Sequence, residues 1–354
     1  MSPAPRIAVI VTTVGRPRLL DRLLLSLAGQ TLPPARVVVV DRGRRPGTAA
    51  VVEHRSDRLA VHHLTSPGGT SAGRNAGLVA LGVLEAAAVE RPSAIGTLDA
   101  MLGAPAPRPP AERTARALVA AGPARGPVAL AEPDGFDVVL FPGDHTWYPP
   151  DALERGARAL EAGADVVSGR MVGGDGARPP LDERPARIDD RSVWTLAPAG
   201  SCFFRASFLR ANGGFDEGLG AGCDTPWQSG ATADLLLRGL RAGSVLNHAP
   251  DIRVFEHDPD APPAGTPEHG AGARHAARGT GRVHRRHYGG YACARAVARP
   301  LGAAALAFLR RRRPEAAWHL HRSVGHLEGL TGALLPAPPP PAPPAPPAPP
   351  ASQG

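Results

Sequence analysis

Lysine is absent from these 354 residues, so all 40 positive charges are arginine, set against 32 acids for a formal net charge of +8. The arginines lie scattered among acids instead of forming one stripe, which removes the usual route from basic charge to nucleic acid as a partner. Together with 42 glycines and 41 prolines, the replacement reads as a GC-rich base composition. Cysteine is scarce: Cys202, Cys223 and Cys293 form no close pair, which excludes a disulfide scaffold, a zinc ribbon and a two-residue redox motif. No basic segment followed by an apolar helix and a cleavage site opens the chain, so a cytoplasmic protein is expected. Long apolar runs are also missing. The best candidate, Pro300 to Leu309, falls short of the ~20 residues that a membrane helix requires, and no span is expected.

What is present alternates between two periods. Arg6 to Thr13 is a β-branched apolar run of the kind buried on both faces of a parallel sheet. Leu19, Leu20, Leu23, Leu24 and Leu27 then recur at helical spacing up to Gly29, and Arg36 to Asp41 gives a second buried strand. This β-α-β opening implies a right-handed parallel crossover. Val61 to Leu64 reads as a third strand, and the glycine-rich turn Gly68 to Asn75 opens a helix at about Ser71. Residues 82–133 lack periodicity and read as an irregular insertion, partly helical at Glu112 to Ala121. Phe136 to Phe141 resumes the sheet, followed by a helix from Pro150 to Ala162, strands at Asp165 to Val167 and Asp251 to Glu256, and a helix from Ala231 to Ala242. The expected organisation is an α/β domain over 1–260, a basic helical region over 274–335, and a disordered Pro/Ala-rich tail over 336–354.

Several polar residues fall at strand ends. Asp41 and the pair Thr12–Thr13 sit at the carboxyl edge, where open parallel sheets place their ligands. A carboxylate there can accept from a base N–H or from ribose hydroxyls; equally, Asp41 could start a turn and Thr12 cap a helix. Asp144 and His145 end another strand. Their oxygen and nitrogen donors suit Mn²⁺ or Mg²⁺, or else form a turn with a surface histidine. Trp147, Tyr148 and Trp227 read either as sugar-stacking rings or as loop anchors. The histidines from His275 to His287 are irregularly spaced among arginines and read as a solvated basic face. Residues 278–313 read either as a basic amphipathic surface for anionic lipid or as charged helix packed on the domain.

The succession Val11 to Leu20, Val37 to Asp41, Gly69 to Gly77, Val138 to Asp144 and Gly213 to Glu217 resembles the family 2 glycosyltransferases of bacterial surface-polysaccharide synthesis, over about Arg6 to His257. The resemblance implies a GT-A fold, a Rossmann-like, mostly parallel sheet flanked by helices that binds a nucleoside-diphosphate sugar and usually a divalent cation. It implies that Thr12, Thr13, Arg16, Asp41, Arg74 and Asn75 hold the nucleotide, and that Asp144, His145 and His257 lie at the metal. Gly200 to Phe204 and Gly213 to Glu217 then form the floor of the acceptor side. The implied reaction passes a hexosyl or similar group to an acceptor hydroxyl with inversion, the cation or Arg74 easing departure of the diphosphate. The implied acceptor is a saccharide or lipid-linked; a lipid-linked one would suit the amphipathic reading of 278–313, at the inner membrane face, over the packed-helix reading. Two departures stand out. Gly143 and His145 flank Asp144 where the family carries an acidic cluster, and Ala231 and Thr232 stand where it opens a helix with acids, one of them the general base. Asp234 and Asp224 are the nearest replacements as base, with a structural part the alternative for Asp234. The competing expectation is a nucleotide-sugar-binding protein with the same fold and impaired turnover.

Overall fold

The computed structural model describes residues 4–43, 47–86, 135–173 and 184–336. Most of the expected insertion, including Glu112 to Ala121, and the tail beyond residue 336 lie outside the described residues.

The apolar runs form strands β1 (Ile7–Thr13), β2 (Arg36–Asp41), β3 (Val61–Thr65) and β4 (Val138–Leu140), with β5 at Thr146–Trp147. Later come β6 (Val166–Gly173), β7 (Ala186–Arg187), β8 (Cys202–Arg205) and β9 (Leu246–Glu256). They build one nine-stranded sheet in the order β3-β2-β1-β4-β8-β6-β9-β5, with β7 also on β9. From β3 to β4 all pairing is parallel. Beyond β4 the sheet is mixed: β8 runs antiparallel to β4 and β6, while β6 and β9 are parallel.

Alternation along the strands feeds two cores. Ile7, Val9, Val37, Val39 and Leu140 point to the side of α1 (Pro17–Ala28), α2 (Gly47–Arg55) and α4 (Ala152–Glu161). Ala8, Ile10, Val38, Val40 and Phe141 face α3 (Thr70–Ala80), α6 (Ala206–Asn212) and α7 (Ala231–Arg241). The leucine spacing of α1 places Leu20, Leu23, Leu24 and Leu27 on the buried stripe. At Gly77 a Cβ would lie 2.6 Å from the Ile10 side chain, so glycine lets α3 settle directly on β1. A short α5 (Val193–Leu196) precedes β8.

The basic C-terminal region is three helices, α8 (Pro267–His287), α9 (Gly290–Leu309) and α10 (Arg313–Thr331). Two expectations are corrected here. The run from Arg274 to His287 is not simply a solvated face: Arg274, Arg282 and His287 are buried, because α8 is clamped between α7 and α10. Glu328 of α10 is fully buried and receives Arg274 and Arg278, with Nη2 of Arg274 at 2.5 Å. The apolar stretch is also longer than the sequence suggested. Arg295 and Arg299 interrupt it in sequence, yet α9 is a continuous 20-residue helix, long and apolar enough to cross a membrane by length and composition.

Candidate functional site

The parallel half of the sheet presents its carboxyl ends at one edge. Thr13 pairs in register with Asp41 of β2, and Thr12 bridges to Gly143 just beyond β4. Asp41 and Asp144 therefore flank Thr13 on the same edge, as a shared hollow requires. Asp41 is buried and its Oδ1 accepts from the Gly43 amide at 2.9 Å, while His63 Nε2 stands 3.8 Å from Oδ2. The turn reading of Asp41 is thus part of its role.

Asp144 is 1% exposed and enclosed by donors. Thr13 Oγ1 donates to Oδ2 at 2.7 Å, and Arg16 donates through Nε at 3.2 Å and Nη2 at 2.5 Å. Burial alone would raise its pKa; the hydrogen bonds from His145, Thr13 and Arg16 outweigh it and hold the carboxyl below the usual range. Arg16 reaches on to both oxygens of Asp258 at 2.9 Å. His145 lies between Asp144 and Glu256, its Nε2 2.9 Å from Glu256 Oε1, and these two carboxylates push its pKa up to about 9. Gly143 has a structural reason: a Cβ there would lie 2.5 Å from the His145 ring. Pairing of β5 with β9 brings His257 to the same corner, where its amide donates to the His145 carbonyl at 3.1 Å and its side chain is exposed.

These side chains do not fit a divalent ion. Both oxygens of Asp144 are engaged by Arg16 and Thr13, and His145 is held by two acids. Among the described residues no group of His, Cys, Asp and Glu gathers as a metal-holding set. A guanidinium and an imidazolium stand where the resemblance implies a cation.

Other expected contacts are placed differently. Donors of the glycine turn are partly taken up within the protein: Thr70 N–H donates to the Ala221 carbonyl and Ser71 Oγ to that of Leu219. At Gly69 a Cβ would lie 2.6 Å from Cys223 N, so loop 218–224 covers the turn. Asn75 is buried and holds the backbone of Phe215 and the side chain of Glu217, a packing role. Arg74 is buried between the rings of Phe141 and Phe215, 5.7 and 4.9 Å away, and burial lowers its pKa to about 10. It donates to Thr232 Oγ1 at 3.2 Å, at the start of α7.

Asp234 is 0% exposed. Arg238, Arg286 and His287 reach it at 3.0, 2.8 and 2.8 Å, and the His287 hydrogen bond with the two arginine charges outweighs burial to lower its pKa. It locks α7 to α8 and has no path to an acceptor hydroxyl, so its role is structural. Asp224 is exposed on the loop over the glycine turn. Gly230 carries φ +87 at the start of α7, and a Cβ there would meet Val283 of α8 at 2.9 Å. Trp147 stacks on Phe255 under Arg22, Tyr148 is buried with its hydroxyl on the Gly200 carbonyl, and Trp227 lies under Arg282. They are anchors. Sequence reasoning missed Asp258 and Glu256, whose signal was only their position beside His257. It likewise missed Arg22, set by its place on α1.

Residues 8–80 match the family model described as glycosyl transferase family 2. The fold is similar to that of the mannosyltransferase PcManGT from Pyrobaculum calidifontis, solved in complex with GDP-Man and Mn²⁺. Identity is 16%, TM-score 0.50, with 93% of this chain and 88% of that one covered. S. aureus TarS 1–349 is also similar, at 16% identity and TM-score 0.48 over 93% of this chain and 92% of that one. Its complex with UDP-GlcNAc gives 15%, 0.47, and 92% of each chain. No curated protein matches. The chain has the GT-A fold, and its resemblance to the family 2 glycosyltransferases holds.

Proposed function

We propose that this chain, with its family 2 signature over 8–80 and its GT-A fold, moves a sugar from a nucleoside-diphosphate sugar to a saccharide or lipid-linked acceptor, with inversion. One observation carries the reading: Asp41, Thr13 and Asp144 line a single carboxyl edge at which the sheet's parallel strands end. Asp41 and Thr12 take the base and ribose. Arg16 takes the diphosphate, its Nη1 turning from the partly exposed Asp258 to the incoming anion. With His145 protonated beside it, Arg16 stabilises the charge that develops on the leaving diphosphate, the part a metal plays elsewhere. The acceptor hydroxyl attacks the anomeric carbon as the bond to the diphosphate oxygen breaks. Asp224, exposed above the covered turn, receives its proton.

A binding protein with impaired turnover is the second reading, favoured by Ala231 and Thr232 at the start of α7. Release of nucleoside diphosphate from UDP-, GDP- and dTDP-sugars separates the two. Turnover that Asp144→Ala abolishes supports the enzyme; nucleotide bound without turnover supports the second reading.

We place the protein in the cytoplasm at the inner membrane face. The outer side of α9 exposes Leu301, Phe308 and Leu309, with Arg310 to Arg313 at its end. Arg295 and Arg299 would each cost roughly 3 kcal/mol in a bilayer centre, which favours lying on the surface over crossing. Flotation with anionic vesicles, lost in Leu301→Asp/Phe308→Asp, tests this; equal flotation by that variant refutes it.

A further inference from the structure

Away from the carboxyl edge, α5, α8, α9 and α10 line a solvent-open cavity of about 1280 Å³. Arg191, Arg295, Arg299 and Arg322 line it, and Asp190 is the one acid among its lining residues. Arg295 and Arg299 are one turn apart on α9 and share a face, and Tyr291 continues that stripe one turn earlier. Arg322 enters from α10, half-buried, its guanidinium 4.7 Å over the Trp318 ring.

The remaining arginines nearby are spoken for: Arg274 and Arg278 by Glu328, Arg286 by Asp234. Among the described residues Arg295, Arg299 and Arg322 have no ion pair. Burial and the charge of Arg299 lower the pKa of Arg322, the mark of a cation set beside a like charge. His326 is 6% exposed, lines the same cavity, and its Nδ1 has no partner. Trp194 also lines it, stacked on His284 at 4.8 Å, its indole N–H donating to Tyr288 Oη at 2.8 Å. The cavity also reaches His287, whose Nε2 is bound to Asp234, so it adjoins the helix α7 that opens at Ala231.

Arg295 and Arg299 are exposed at the rim and Arg322 is half-buried, so the three guanidinium groups, outnumbering the single acid Asp190, remain open to an anion, and guanidinium groups match phosphate oxygens in geometry and charge. We propose that this cavity is the subsite for a phosphate-bearing acceptor, its phosphate on Arg295, Arg299 and Arg322 and its sugar against Trp194 and Tyr291. The word acceptor rests on the transferase reading above; the anion site does not.

The test titrates the full chain with inorganic pyrophosphate at low salt, with excess UDP present to occupy the donor edge. Binding is expected, weakened about tenfold or more by Arg299→Gln/Arg322→Gln. The exposed Arg295→Gln, which disturbs no packed side chain, should weaken it in the same direction. No binding, equal binding by all three proteins, or complete displacement by UDP overturns the proposal. A second arm uses phosphatidylcholine vesicles containing phosphatidylglycerol. Leu301→Asp/Phe308→Asp should lose the vesicles and keep pyrophosphate; loss of both would place the anion at the lipid-facing side and overturn the cavity site. Pyrophosphate binding with the expected variant pattern, in a protein that releases no nucleoside diphosphate from any donor, would sink the transferase reading and leave the anion site standing.

Discussion

Asp234→Asn separates a structural acid from a catalytic one. The carboxylate is wholly buried and accepts from Arg238, Arg286 and His287 within 3.0 Å. Asparagine keeps the shape but removes the charge and aims an NH₂ at donors, leaving Arg238 and Arg286 without their counter-charge. Breaking a buried pair of this type costs about 3–5 kcal/mol, a large share of the roughly 5–15 kcal/mol of a folded domain. Urea denaturation followed by circular dichroism should show the midpoint falling accordingly, with α8 released from α7. His287→Gln and Arg286→Gln should each give part of that loss, with coupling to Asp234→Asn of about 1–3 kcal/mol in a double-mutant cycle. Acid should act in the same direction. The folded pKa is depressed, so the stabilisation is complete above the ordinary carboxylate value and is lost as pH falls through the depressed one. A variant within about 0.5 kcal/mol of wild type whose turnover nevertheless falls by ~10²–10⁴ would refute the structural assignment and make Asp234 the base.

Further outcomes follow from the same geometry. Glu328→Gln should destabilise the helical extension by about 3 kcal/mol, since Arg274 and Arg278, against the opposing effect of burial, lower the acid's pKa to about 2 from 4.5. In wild type that stabilisation holds above pH 4.5 and disappears as pH falls through about 2, which thermal melts across acid pH can follow. His145, raised from 6.5 to about 9, contributes fully below pH 6.5 and loses its stabilisation, on the order of 3 kcal/mol, as pH rises through 9. His145→Gln should flatten that alkaline loss in melts between pH 7 and 10. Nucleoside diphosphate release should persist in excess EDTA, because Arg16 holds Asp144; abolition by EDTA and recovery with Mn²⁺ would contradict this.

The parallel half of the sheet was legible because β1, β2 and β4 are apolar, mostly β-branched runs buried on both faces, and because the leucines of α1 keep helical spacing. Asp41 and Asp144 were legible through their place at strand ends. The occupancy of Asp144 was not: Arg16, Asp258 and Glu256 come from distant parts of the chain, and only the pairing of β5 with β9 brings them together. Arg74 follows a glycine turn, as an anion-binding side chain would, yet Phe141 and Phe215 draw it inward, a tertiary effect without local signal. The strand ending at Glu256 reached back to Leu246 because β6 and β7 pair with its polar first half. The burial of α8 was hidden for a similar reason. Its arginines look solvated until Glu328 and Asp234 arrive from other helices.

Equilibrium titration of UDP and GDP against wild type and Asp41→Asn tests the donor edge most directly. Saturable binding of at least one nucleotide, weakened about tenfold or more by the substitution, is the predicted result. Failure of both nucleotides to bind, or equal affinity in the two proteins, would contradict a donor pocket between β2 and β4.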